Sequence, residues 1–127
     1  MIAVDTSALL AILLDEAEAD ALAAALAEAN GLVISAGTVA EAFIVAERRG
    51  LAAQMQDLLD ALSIEFAPVT AALAEDICGA YRRWGKGVHS AGLNLGDCFA
   101  YVLASGRRIP LLFKGDDFAQ TDLAAAI

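Results

Sequence analysis

Met1-Ile2-Ala3-Val4-Asp5-Thr6-Ser7 decides the fold. Four apolar residues without a polar break read as a short strand buried on both faces, because a half-exposed strand alternates. The run stops at a carboxylate, and Thr6 or Ser7 stands where a cap would open a helix over 7–14. The same pattern returns three times. Leu32-Val33-Ile34-Ser35 is a second buried strand, Ile64-Glu65-Phe66-Ala67-Pro68-Val69 a third, and Pro110-Leu111-Leu112-Phe113 a fourth. Pro68 lacks a ladder donor, which puts the third strand at an edge or makes the proline its end. Helices are predicted between the strands: over 16–30, stopped by Asn30-Gly31; from the capping-box pattern Thr38-Val39-Ala40-Glu41 to Arg49; over 51–62; and from Thr70 to Trp84. Residues 85–96 carry four glycines and no periodicity, so they read as a loop, and the tail 121–127 reads as loosely held.

Short apolar strands alternating with helices imply an α/β fold. The whole chain, 1–127, is predicted to form one domain around a central four- to five-stranded parallel sheet with helices on both faces. That architecture sorts the acids. Helices packed on a parallel sheet run antiparallel to it, so their N-termini gather at the carboxyl edge of the strands. Asp5 ends the first strand, and Asp116 and Asp117 follow the fourth. Glu41 and Asp97 are expected in the first turns of their helices. Acids far apart in sequence therefore converge on one rim, the edge at which such sheets bind ligands.

Asp97 lies in Gly92-Leu93-Asn94-Leu95-Gly96-Asp97-Cys98-Phe99-Ala100-Tyr101-Val102-Leu103-Ala104 and is the only charged residue between Lys86 and Arg107. An isolated carboxylate is costly to bury, although a helix N-terminus offsets part of the cost. Taken alone, Asp97 reads equally well as a first-turn cap or as an active-site acid. Glu41 alone is better explained as the partner of Thr38 in a capping box, and Asp116-Asp117 as an ordinary acidic turn. Asp5 has the least structural reason to be charged. Ser105-Gly106 is predicted to end the Asp97 helix.

Composition narrows the function. The chain is 59% hydrophobic with a mean hydropathy of +0.61, yet acids interrupt every apolar stretch before it reaches membrane-spanning length. A basic leader region is absent, and a cytoplasmic location is expected. Cys78 and Cys98 are widely spaced and read as small buried hydrophobes. The net charge of −9 argues against holding nucleic acid by bulk charge. Residues 1–47 contain eight acids and no Lys or Arg. The basic residues come later, and Arg82, Arg83, Lys86 and Lys114 lie close in sequence to the predicted rim, where they would line a phosphate path.

Clustered carboxylates repel one another and call for a cation. Hard oxygen donors with no neighbouring His or Cys suit Mg²⁺ or Mn²⁺. His89, in the glycine-rich loop, reads as an exposed loop residue. A carboxylate-held divalent ion can activate water and neutralise a phosphodiester oxygen, which makes hydrolysis of a nucleic-acid backbone the natural chemistry.

Val4-Asp5-Thr6-Ser7-Ala8-Leu9-Leu10, Ser35-Ala36-Gly37-Thr38-Val39-Ala40-Glu41, Lys86-Gly87, Leu93-Asn94-Leu95-Gly96-Asp97-Cys98-Phe99-Ala100-Tyr101 and Leu111-Leu112-Phe113-Lys114-Gly115-Asp116-Asp117-Phe118 together resemble the PIN-domain family, and within it the VapC-type ribonuclease toxins. The likeness runs through the whole chain. It implies the PIN fold and an Mg²⁺- or Mn²⁺-dependent endoribonuclease that acts on RNA, forms a homodimer and is neutralised by a VapB-type antitoxin. It carries metal or catalytic roles onto Asp5, Glu41 and Asp97, with a fourth acid from Asp116 or Asp117. Many PIN domains have T-x-D-x-D-F at that point; here Gly115 replaces the first aspartate, so the choice between Asp116 and Asp117 stays open. The antitoxin's apolar residues are expected between the helix starting near Ser7 and the helix containing Phe43, with a basic side chain reaching the rim.

Two other readings are compatible with parts of the pattern. A haloacid-dehalogenase-like phosphatase would use Asp5, Ser35 and Asp116-Asp117, but its proton-transferring acid is replaced by Ser7 and Asp97 has no role in it. A non-catalytic protein-binding domain with a degenerate acidic rim would bind no metal.

Overall fold

The computed structural model describes residues 1–127. Strand β1 (Ile2–Val4) lies between β2 (Leu32–Ser35) and β4 (Leu111–Leu112), with β3 (Glu65–Ala67) outside β2, giving the order β3-β2-β1-β4. All pairings are parallel: Ala3 faces Val33 on one side and Leu111 on the other, and Ile34 faces Phe66. The expected architecture is observed, with β3 at the edge as Pro68 requires. The tail is firmer than its composition suggests. Leu111 bridges Ala125 through Leu111 N–H to Ala124 O and Ala126 N–H to Leu111 O, and Tyr101 Oη donates to Asp122 at 2.7 Å. Residues 121–127 thus cover the outer side of β4 as the stub of a fifth strand, because an open apolar edge is a poor surface to leave in water.

The period-two geometry of the strands splits the apolar runs between two cores. Ala3, Val33 and Leu111 face α5 (Ala71–Trp84) and α6 (Leu95–Arg107). Val4, Ile34 and Leu112 face α1 (Thr6–Leu13), α2 (Ala19–Glu28), α3 (Ala36–Arg48) and α4 (Ala52–Ala61). Leu9, Leu22, Ile34, Met55, Leu93, Leu111 and Leu112 are wholly enclosed, each contributing about 1.5–3 kcal/mol by removal from water. The first two crossovers lie on one face and step outward from β1 to β3. The third lies on the other face and returns past β1 to β4. The direction of winding therefore reverses between β1 and β4, and this crevice is where doubly wound sheets place a ligand.

Several local expectations change. Asp5 itself caps α1, accepting from Ser7 N–H, because the helix begins at Thr6 and not beyond it. Helix α3 opens at Ala36 under a Ser35 cap whose hydroxyl accepts from Gly37 N–H, so Thr38 is inside the first turn and Glu41 in the second. The Thr38–Glu41 capping box does not form, and Glu41 is free of that duty. Helix α6 runs through Ser105-Gly106 to Arg107 and ends on Arg108 in the left-handed region, φ 56°. Cys98 is buried as expected. Cys78 is exposed, on the outer face of α5, where only Ala80 and Trp84 are buried. No helix is long and apolar enough to cross a membrane.

Candidate active site

Asp5 sits at the carboxyl end of the central strand, its own N–H donating to Leu112 O, and it is 3% exposed. Its Oδ2 accepts from Ser7 N–H at 3.0 Å and from Ser7 Oγ at 2.6 Å. Ser7 Oγ in turn accepts from Lys114 N–H at 3.0 Å, which ties the residue after β4 to the residue after β1. Oδ1 is buried with no hydrogen-bond partner at all. Burial pushes the Asp5 carboxyl up to about 7; Ser7 pulls it down, and the charges of Asp97 and Glu41 add to the rise.

Asp97 is the third residue of α6. Its Oδ2 accepts from Asn94 N–H at 3.0 Å while its own N–H donates to Asn94 Oδ1 at 2.8 Å, so it closes a capping box at the same time as it faces the rim. Its second oxygen remains open. Burial pushes Asp97 up to about 6, against the Asn94 bond, with Glu41 and Asp117 adding to the rise.

Glu41 reaches the same place from α3. Its carboxylate lies directly on Gly96, in the space a Cβ there would fill, while Gly37 of α3 receives the ring of Phe99 from α6. Each helix thus carries a glycine notch that takes a side chain of the other. Asp5, Glu41 and Asp97 are within electrostatic reach of one another, as predicted for the rim. After β4, Asp116 and Asp117 are both exposed; Asp117 acts on Asp97, whereas Asp116 acts on neither Asp5 nor Asp97.

The predicted basic residues divide. Lys114 pairs with Glu16 and lies 3.7 Å from Glu18, and Arg83 is 3.5 Å from Asp122 and stacked 4.5 Å over the Trp84 ring. Both cations are committed within the chain. Arg82 and Lys86 are exposed and form no ion pair, although Arg82 Nη2 touches Cys78 Sγ at 3.5 Å. His89 is exposed in the loop as expected, its Nδ1 accepting from Ala91 N–H.

The donor set fits a hard divalent cation. Every candidate ligand is a carboxylate oxygen, and a buried carboxylate oxygen with no partner is costly unless a cation or proton meets it. Cys98, next to Asp97, has its thiol pushed up to about 11 by burial, so it is a neutral packing group and no soft ligand. No three of the carboxylates converge closely enough to form a closed cage.

The PIN domain family matches residues 2–123. The chain belongs to the PIN-domain family. This PIN domain is 45% identical over 125 residues to a VapC ribonuclease of Mycolicibacterium smegmatis, covering 96% of this chain and 97% of that one. It is 41% identical over 128 residues to ribonuclease VapC28 of Mycobacterium tuberculosis, covering 98% and 96%. Among solved structures it resembles VapC20 of Mycobacterium tuberculosis, a sarcin-ricin loop cleaving toxin, with TM-score 0.78 at 18% identity over 98% of this chain and 97% of that one. A toxin–antitoxin complex from Klebsiella pneumoniae gives TM-score 0.72 at 20% identity, covering 96% and 93%. At those identities the two structures establish a shared fold. Family membership sets aside the phosphatase reading, whose scheme had no use for Asp97; in this PIN domain the Asp97 charge acts on Asp5.

Three residues carry roles at the site that the sequence did not assign to them, Ser7 and Thr38 having read as capping residues and Gly96 as part of a loop. Ser7 holds Asp5, Gly96 accommodates Glu41, and Thr38 carries a buried hydroxyl without a partner while its carbonyl accepts from Thr6 Oγ1 at 3.3 Å. The Asp5-Thr6-Ser7 spacing was the available signal for Ser7, since an aspartate commonly accepts from the residue two places on.

Proposed function

We propose that this PIN domain is an Mg²⁺- or Mn²⁺-dependent endoribonuclease, the toxin of a toxin–antitoxin pair, and that it hydrolyses RNA phosphodiester bonds. The observation that carries the proposal is the orphaned Oδ1 of Asp5, buried within electrostatic reach of the carboxylates of Glu41 and Asp97. The names of its relatives point the same way. Asp5, Asp97 and Glu41, with Asp117 in preference to Asp116 as the fourth acid, would hold the ion. A divalent ion bound there supplies charge neutralisation at the phosphodiester and activation of the attacking water. Ser7 fixes Asp5 so that Oδ1 alone is offered to the crevice, and Asn94 does the same for the free oxygen of Asp97. Burial at Asp5 excludes bulk water, which strengthens each electrostatic contact made there. Arg82 and Lys86, free of internal ion pairs, serve the RNA backbone.

A VapB-type antitoxin is the proposed partner. The largest groove, about 510 Å³, lies between α1, α2 and α4 and is lined by Ile12, Leu26, Leu58 and Leu62. This differs from the groove expected beside Phe43, whose helix α3 is packed into the core. A groove of this kind suits an amphipathic segment, and the all-acidic stretch 1–47 would steer a basic chain toward it. Ile44 and Leu95, both more than half exposed beside Glu41, are candidates for a homodimer contact.

The test is incubation of the purified protein with total RNA, with Mg²⁺, with Mn²⁺ and with a chelator, followed by mapping of the new ends. Discrete cuts that need the metal are expected. Cleavage that survives the chelator rejects the metal-dependent reaction.

A further inference from the structure

Gly96 is a helical residue with ordinary helical φ, so its backbone gives no reason for glycine. A glycine inside a helix is unfavourable relative to alanine by as much as about 1 kcal/mol. Space is the remaining reason, and the three nearest atoms a Cβ would meet are Oε2, Cδ and Oε1, all of Glu41. The approach of the two helices is set elsewhere, at Gly37, where a Cβ would come within 2.5 Å of the Phe99 ring. A ring in a packed interface cannot step aside, whereas a glutamate carboxylate can turn about its own bonds. A methyl group at position 96 would therefore leave the helices in place and evict the carboxylate.

We propose that Gly96 is a positioning residue for the reaction: its missing side chain is the seat that holds the Glu41 carboxylate on the first turn of α6, facing Asp5 and Asp97. The proposal rests on the metal-dependent ribonuclease reading of this rim. Two features add to it. The N–H groups of Leu95 and Gly96 have no hydrogen-bond partner in the helix or its cap, and such a helix start favours an anion laid against it. Glu41 also makes no hydrogen bond or ion pair of its own, so the notch at Gly96 is the one close fit that defines where its carboxylate lies.

Four full-length proteins test this: wild type, Gly96→Ala, Glu41→Asp and the double variant. Each is assayed for thermal midpoint without metal, Mn²⁺ affinity by calorimetry, and cleavage rate. Gly96→Ala is expected to melt at or above the wild-type temperature, to bind Mn²⁺ about tenfold more weakly and to cleave about tenfold or more slowly. Aspartate is one methylene shorter and leaves room for the new methyl. The double variant should therefore be several-fold more active than the product of the two single losses. Equal Mn²⁺ affinity in wild type and Gly96→Ala overturns the proposal, as does a lowered melting temperature that accounts for the lost activity, or strictly multiplicative losses in the double variant. Should wild type cleave no RNA, the ribonuclease reading fails while the Mn²⁺ comparison still decides the role of Gly96.

Discussion

Both hydrogen bonds accepted by Asp5 come from Ser7 and end on a single oxygen, Oδ2, at 3.0 Å from the backbone N–H and 2.6 Å from the hydroxyl. The arrangement makes the two oxygens of one carboxylate unequal: one is saturated and the other has nothing. Ser7→Ala removes the shorter bond and also the acceptor of Lys114 N–H. Cleavage should fall about tenfold to a hundredfold, as for other groups that orient a metal ligand, with a stability loss of about 1–2 kcal/mol. Ser7→Thr keeps the hydroxyl and should recover much of both. Metal titration and urea unfolding of the two variants check this.

Asp97→Asn should reduce cleavage about a hundredfold or more while leaving the fold intact. The amide oxygen can still accept from Asn94 N–H, so the capping box survives, and one of the mutually repelling charges is gone. The metal-free variant should melt no lower than wild type. A fully active Asp97→Asn protein would remove this acid from the mechanism.

Burial raises Asp5 to about 7 and Asp97 to about 6, both from 3.8. Between those values the folded metal-free protein binds more protons than the unfolded chain, so stability is greatest below pH 4 on this account and declines as pH rises through 6 and 7. The melting temperature of the metal-free protein should drop by ~5–10 °C between pH 5 and pH 8. Saturating Mg²⁺ or Mn²⁺ should flatten that decline, because the ion replaces the proton as the neutralising charge. Thermal melts at the two pH values with and without metal decide it; a slope that ignores the metal would separate the carboxylates from the ion.

The cations should sort by whether they are already paired. Arg82→Ala and Lys86→Ala are expected to raise KM severalfold and to reduce the salt dependence of RNA binding, without moving the cut site. Lys114→Ala and Arg83→Ala lose contacts to Glu16 and Asp122 and should show their effect as a small loss of stability, since solvent screens such exposed pairs. Cleavage kinetics at two salt concentrations, set beside melting curves, distinguishes the groups.

Removal of residues 121–127 should be more harmful than their composition suggests. It strips two backbone hydrogen bonds from Leu111 and the partner of Tyr101 Oη. A loss of about 2–4 kcal/mol is expected from these bonds together, read as a lower urea midpoint.

The strands, their parallel pairing and the gathering of acids at one rim were legible because a run such as Met1-Ile2-Ala3-Val4 has one favourable environment, between two layers of helix. Asp5 and Asp97 were legible because each is a lone charge in an apolar setting. Glu41 was found for a mistaken reason. Thr38 mimics a cap, but Ser35, three residues earlier, takes that position as soon as β2 ends there, and only the fold releases Glu41 to the rim. The exposure of Cys78 was illegible, since α5 packs on α6 along the narrow strip that ends in Ala80 and Trp84. The tail was misread because its bonds are backbone bonds to Leu111, and these leave no signature in side-chain type.

The placement of β4 beside β1 sets an order of events during synthesis. The first strand made is the central one, and its second neighbour, Leu111–Leu112, is among the last segments to leave the ribosome. Until it does, Asp5 N–H has no Leu112 carbonyl to bond, Ser7 receives nothing from Lys114, and Asp117 does not yet exist beside Asp97. The groove between α1, α2 and α4 is complete in sequence by Ser63. The apolar groove thus emerges well before the acidic crevice can be assembled, and a chain abandoned part-way through translation lacks the contacts that fix Asp5 and Ser7.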